Sequence, residues 1–139
     1  MQARRGELID ALGDGGLVAE RDGRRVGLLF WRREPPGEAS SVEITAVAVE
    51  QDVQRSGVGR ALMLEAEAAL RRLGVARAWL VTTNENLAAL ALYQKVGYRL
   101  IALHAGAIDE IRRTIKPSIP LVSGNGIRVR DELELELLL

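Results

Sequence analysis

The stretch from Ser41 to Leu73 limits the possible folds more than any other part of the sequence. Ser41–Val49 reads Ser-Val-Glu-Ile-Thr-Ala-Val-Ala-Val, and its β-branched side chains suit the pleated, half-buried surface of a sheet. A polar connection follows, then a long segment over residues 57–73 whose apolar positions Val58, Leu62, Ala66, Ala69 and Leu73 recur at helical spacing. Arg60, Glu65, Glu67, Arg71 and Arg72 fall elsewhere on that helix, and Gly74 supplies a stop. A buried strand that runs through a glycine-bearing loop into an amphipathic helix requires a sheet with a helix packed against it.

The flanking segments extend this layer. Residues 8–12 read as a short helix ended by Gly13, Gly15 and Gly16. Residues 17–21 and 26–32 are strands around Asp22-Gly23-Arg24, with Asp-Gly as the hairpin signal, and Glu34-Pro35-Pro36-Gly37-Glu38 is a polar loop. Residues 78–82 form the next strand. Asn84 or Asn86 caps a helix over residues 87–96, Gly97 ends it, and residues 98–103 are again a strand. Residues 108–116 read as helical up to Pro117, and Pro120 with Gly124-Asn125-Gly126 marks a loop. Val129, Leu133, Leu135 and Leu137 then alternate with Arg130, Glu132, Glu134 and Glu136, which predicts a half-exposed final strand over residues 127–138. The succession predicts an α/β (α+β) fold around one mixed sheet.

With 139 residues the chain is expected to form a single domain, residues 1–139. Nineteen Lys and Arg balance nineteen Asp and Glu, so bulk attraction to nucleic acid or to an anionic membrane has no electrostatic basis. The lack of cysteine excludes disulfides, thiolate metal sites and a cysteine nucleophile. No apolar run approaches the roughly 18 residues of a membrane span. The basic residues among the first ten have no apolar stretch behind them, so no secretory signal is read there and a cytoplasmic location is the expectation.

Chemistry enters at Gln54-Arg55-Ser56-Gly57-Val58-Gly59. The first turn of a helix carries N–H groups with no partner inside the helix, and the helix dipole places partial positive charge there. Glycines without a Cβ let an anion reach that backbone, so strand, glycine loop and helix together make a phosphate site, with Arg55 and Arg60 adding charge. A turn that merely needs a positive φ explains two such glycines equally well. Two other phosphate motifs fail: there is no Gly-Lys-Ser/Thr ending, and Leu62 stands where the dinucleotide fingerprint needs its third glycine.

The same residues resemble the acetyl-CoA signature of the GNAT superfamily of N-acetyltransferases, Gln/Arg-x-x-Gly-x-Gly/Ala. Val47-Ala48-Val49 precedes it at the end of a strand. Asn86-Leu87-Ala88-Ala89-Leu90-Ala91-Leu92-Tyr93-Gln94-Lys95-Val96-Gly97-Tyr98 follows, similar to the second signature, Asn-x-x-Ala-x-x-x-Tyr-x-x-x-Gly-Phe/Tyr. Each motif is weak alone; the two in order are strong. The resemblance implies a central mixed, twisted sheet flanked by helices, in which a splayed pair of parallel strands holds acetyl-CoA, with no metal. It implies that the backbone of Val47 and Val49, beside Ala48, pairs with the pantetheine arm. N–H groups of Gln54, Arg55, Ser56, Gly57, Val58, Gly59 and Arg60 would take the pyrophosphate. Asn86 would touch the cofactor arm, and Tyr93 would protonate the leaving thiolate while a substrate amine attacks the thioester directly.

That amine needs a base, and Glu43 is the candidate, lying upstream of Gln54 at the interval of the catalytic Glu in histone-type members. By simple alternation it shares a face with Thr45 and Val47, unless a bulge alters the count, and apolar neighbours would raise its pKa. It reads equally as a strand-end carboxylate facing solvent. Tyr93 reads otherwise as a core aromatic and Asn86 as a helix cap. His104 is structural or a substrate-side base, Trp31 and Trp79 are packing residues, and Glu132, Glu134 and Glu136 are a solvated strand face or an acidic rim for a cationic amine.

Two departures stand out. Acetyltransferases of ribosomal-protein N-termini carry a Glu on the fifth strand, and that position is Val81 here. The N-terminal strand and helix of the superfamily are also shortened, while residues 104–139 add a helix, loop and strand like those of a bacterial subgroup. The expected function is acetyl transfer to an amine of a small molecule or of a peptide or protein, with a homodimer plausible in this superfamily. The alternatives are a non-catalytic CoA-binding or regulatory domain, a ribosomal-protein N-terminal acetyltransferase-like enzyme, and a phosphate-binding α/β module unrelated to CoA.

Overall fold

The computed structural model describes the backbone of residues 2–4 and the whole of residues 15–33 and 40–139. The expected helix at residues 8–12 and the loop at residues 34–38 lie outside the described residues. The chain divides into two compact units, residues 1–80 with 137–139, and residues 81–136.

In the first unit five strands are ordered β1-β2-β3-β4-β5: β1 (Gln2–Arg4), β2 (Gly15–Arg21), β3 (Arg24–Arg33), β4 (Ser41–Val49) and the start of β5 (Arg77–Thr83). The first four are antiparallel neighbours and β5 joins β4 in parallel, so the sheet is mixed. The hairpin between β2 and β3 turns on Asp22 and Gly23, at φ 53° and 77°, the paired positive values of a type I′ turn that matches strand twist. Gly15 and Gly16 belong to β2. A Cβ on Gly15 would come within 2.6 Å of the Trp31 ring, so the glycine makes room for the tryptophan opposite it.

Helix α1 (Val58–Arg72) covers one face of this sheet, burying Val58, Leu62, Met63, Ala66, Ala69 and Leu70. It approaches β3 closely at Gly27, where a Cβ would stand 3.0 Å from Val58 Cγ1 and 3.1 Å from Leu62 Cδ1. Leu62, Leu70, Leu17, Leu29 and Val26 are the centre of this core, and each such buried side chain contributes about 1.5–3 kcal/mol of transfer free energy. Leu73 departs from expectation: the helix stops at Arg72 and Leu73 is 57% exposed.

The second unit holds the end of β5, α2 (Leu87–Lys95), β6 (Arg99–His104), α3 (Ala107–Thr114) and most of β7 (Glu132–Leu138). Here β7 lies between β5 and β6, antiparallel to β6 with Leu135 opposite Leu100. The final strand was expected to begin at Ile127, but it begins at Glu132. Asn84 explains the difference: its Oδ1 accepts the N–H groups of Arg130 and Asp131 at 3.0 and 2.9 Å, and its Nδ2 donates to Arg128 O at 2.9 Å. Arg112 of α3 takes Val129 O and Ile119 O, and Ile108 N–H takes Arg130 O. Backbone groups spent on these partners are lost to a ladder. Among the described residues no helix is long and apolar enough to cross a membrane.

Candidate active site

The ladder between β4 and β5 is short. Ser41, Val42 and Glu43 face Arg77, Ala78 and Trp79, and pairing ends there although β4 runs on to Val49. Glu50 N–H donates to Val26 O at 2.8 Å, so Val49 and its opposite residue Gly27 are a pair that exchanges no hydrogen bonds of its own. Val47, opposite Leu29, is a pair of the same kind. Both valines therefore turn N–H and C=O away from β3, toward the edge that β5 has left. Ala48, opposite Leu28, spends its backbone groups on β3.

The chain leaves β4 through a single 3-10 turn, Gln51–Val53. Gln54 is extended at φ −63° and ψ 149°, while Arg55 and Gly57 are left-handed at φ 66° and 91°, an alternation that gathers N–H groups into a concave array. The loop is braced from within, since Ser56 donates both its hydroxyl and its N–H to Val53 O. Gln54 N–H is taken by Gln51 O at 3.4 Å. The first bond inside α1 runs from Ala61 N–H to Gly57 O at 3.0 Å, and among the described residues no acceptor takes the N–H of Gly57, Val58, Gly59 or Arg60. Four convergent donors at the positive end of a helix of 15 residues suit a diphosphate. Gly57 needs its positive φ, and a Cβ there would meet nothing within 4 Å, so the approach is open. Of the donors expected for the pyrophosphate, Gln54 and Ser56 are thus already engaged within the loop.

One contact had no sequence signal. Gln54 Nε2 donates to Val49 O at 3.2 Å, joining the phosphate loop to the outward edge of β4. A cleft of about 400 Å³ opens beside it, lined by Val49, Gln54, Arg25, Val26, Leu28 and Ala48.

Glu43 lies on β4 opposite Arg32, whose Nε and Nη2 both donate to Oε1 at 3.2 and 3.0 Å; the carboxylate side chain is 16% exposed. A bulge separates Ile44, opposite Trp31, from Ala46, opposite Phe30, so Thr45 is an extra residue. Glu43 consequently shares its face with Ala46 and Ala48, not with Val47. Its environment is a cross-strand ion pair, not the apolar one expected. Trp31 is buried among the core residues, and Arg77 stacks its guanidinium 5.7 Å from the Trp79 ring centre.

In the second unit Asn86 caps α2, its Oδ1 accepting Ala89 N–H at 3.3 Å. Tyr93 is half-buried near the end of that helix, its ring 6.4 Å from that of Tyr98 at 53°. Burial raises the Tyr93 phenol above its ordinary value, because the phenolate would lose hydration. His104 Nε2 lies 3.3 Å from Glu134 Oε1, Glu132 faces His104 and Glu136 faces Arg99 across the ladder. The acidic face of β7 is therefore opposed by basic groups. Among the described residues no group of three or more His, Cys, Asp or Glu is placed to hold a metal.

A mixed sheet with an unzipped parallel pair, beside a helix start rich in unpaired N–H groups, defines a class that the comparisons identify. The acetyltransferase (GNAT) family matches residues 2–98, and the chain belongs to it. It is 38% identical to YxbD of Bacillus subtilis (strain 168) over 122 residues, 88% of this chain and 72% of that protein. YdhI of the same strain is 38% identical over 87 residues, 63% of this chain and 54% of that protein. The chain thus spans only about half the length of the second relative. Among solved structures, a Bacillus subtilis acetyltransferase in complex with CoA superimposes with a TM-score of 0.78 at 27% identity, over 91% of this chain and 77% of that one. The expected fold, with its mixed sheet and flanking helices, is the observed one.

Proposed function

We propose that this chain is an N-acetyltransferase that uses acetyl-CoA to acetylate an amine of a small molecule or of a peptide or protein. The observation that carries the reading is the set of unpaired N–H groups of Gly57, Val58, Gly59 and Arg60 at the start of α1, directly downstream of the outward-turned backbone of Val47 and Val49. The first set fits a diphosphate and the second fits the amides of an extended arm, and coenzyme A joins those two features in one molecule. The solved relative that holds CoA supports the same assignment. Acetyl-CoA is an intracellular compound, so the cytoplasm is the proposed place of action.

Acetyl transfer then needs two proton movements. The amine must lose a proton before its nitrogen can attack the thioester carbonyl; the departing sulfur must gain one as the C–S bond breaks. Tyr93, assigned by its motif position, supplies the second, and its raised pKa keeps the phenol protonated near neutrality. Glu43 takes the first, directly or through a water. The Arg32 pair holds the Glu43 carboxylate in place.

The same ion pair also suits a second reading, in which Glu43 is structural and the chain binds CoA without turnover. Thiol release from acetyl-CoA in the presence of a panel of primary amines separates the two. Release that depends on an amine establishes the enzyme; CoA binding without release on any amine establishes the binder. Equal competition by CoA and by adenine nucleotides would reduce the site to its phosphate loop.

A further inference from the structure

The Gln54 side chain crosses from the phosphate loop to the outward edge of β4. Its carboxamide donates to Val49 O at 3.2 Å, and Val49 is one of the two residues whose carbonyls point away from β3. An amide laid along β4 as an added strand would approach that carbonyl in the plane of the sheet, along the direction a neighbouring strand uses. Gln54 already donates a side-chain amide N–H to that same carbonyl, the type of donor a pantetheine amide would bring. It reaches that position because the chain is extended at Gln54 and reverses at Arg55, φ 66°. Gln54 itself is exposed, so its side chain can swing into solvent when another donor takes the carbonyl.

The geometry points to Gln54 as a competitor of the pantetheine arm for the carbonyl of Val49, and hence as a positioning residue that sets the affinity for coenzyme A without touching the diphosphate donors. The inference rests on the coenzyme A reading above. Entry of the arm exchanges one neutral amide–carbonyl hydrogen bond for another, so the intramolecular bond is a cost subtracted from binding. Removing the donor while keeping the length of the side chain removes that cost.

The experiment compares the chain with its Gln54→Met variant, using two probes by titration calorimetry: coenzyme A, and 3′-phospho-ADP, which is coenzyme A without its pantetheine arm. The variant should bind coenzyme A about two- to ten-fold more tightly, the range one net neutral hydrogen bond supplies, and bind 3′-phospho-ADP unchanged. A parallel readout follows the side-chain amide resonance of Gln54 in the unaltered chain, which should move on addition of coenzyme A and stay in place with 3′-phospho-ADP. Unchanged or weaker coenzyme A binding by the variant, with both probes still bound, would overturn the competition and leave the function standing. Loss of affinity for both probes would make Gln54 a brace of the loop and likewise overturn it. Failure of the unaltered chain to bind coenzyme A would remove the functional reading and this inference together.

Discussion

Gly57 combines two constraints that pull a single position toward glycine, a left-handed φ of 91° and open space in front of its backbone. A side chain there is strained by about 1–2 kcal/mol but strikes no protein atom. Gly57→Glu should therefore fold and yet lose coenzyme A binding through bulk and like charge, read by calorimetry alongside a thermal melt; retained affinity would move the diphosphate elsewhere. Tyr93→Phe should lower the acetylation rate by roughly 10²-fold with coenzyme A affinity nearly unchanged, and an unaltered rate would return Tyr93 to the role of a core aromatic. For Glu43 the discriminating measurement is a pH–rate profile. Glu43→Gln should displace its acidic limb, whereas a profile identical to that of the unaltered enzyme would leave Glu43 as the partner of Arg32 alone. At this scale the sequence did not show the partners of the residues it singled out. Neither Arg32 beside Glu43 nor Gln54 on Val49 could be foreseen, because each contact depends on strand register or on a loop dihedral.

Elements were legible where their cause is local. The boundaries of β4 (Ser41–Val49) follow from its β-branched run, the β2–β3 turn from Asp22-Gly23, and the end of α1 from Gly74 at φ 79°. Elements were misread where a distant side chain decides. The bulge at Thr45 arises from the pairing of β4 with β3, and it exchanges which residues accompany Glu43 on its face. The late start of β7 depends on Asn84, which lies on the loop after β5 yet binds the backbone of Arg128, Arg130 and Asp131. Asn84→Ala removes the acceptor of two N–H groups, one exposed and one part-buried, so each lost bond costs about 0.5–1.5 kcal/mol. The variant should lower the urea midpoint and speed amide exchange in residues 128–131 first; exchange that stays as slow as before would show that Arg112 alone holds the segment.

For the whole molecule, the mixed sheet was readable from the order of its elements, and the membership of a family from two motifs in sequence. The division into two compact units was not, because it reflects how contacts cluster in space. One titrating group links the global fold to pH. The folded pKa of Tyr93 is raised by burial, so its contribution to stability is complete below the unfolded value near 10 and is lost as pH rises through the folded value. Chemical denaturation between pH 9 and about 11.5 should show stability falling with pH, less steeply in Tyr93→Phe; parallel slopes would mean that the phenol is hydrated in the native state. The early end of the β4–β5 ladder has a further consequence. A sheet that stops pairing partway along a strand leaves part of its own cohesion to be supplied by a small molecule. The proposed co-substrate would then reinforce the protein as well as react in it, contributing about 2.7 kcal/mol at a hundredfold excess over its dissociation constant. In a cell, the resistance of this chain to unfolding would rise and fall with the supply of one metabolic thioester.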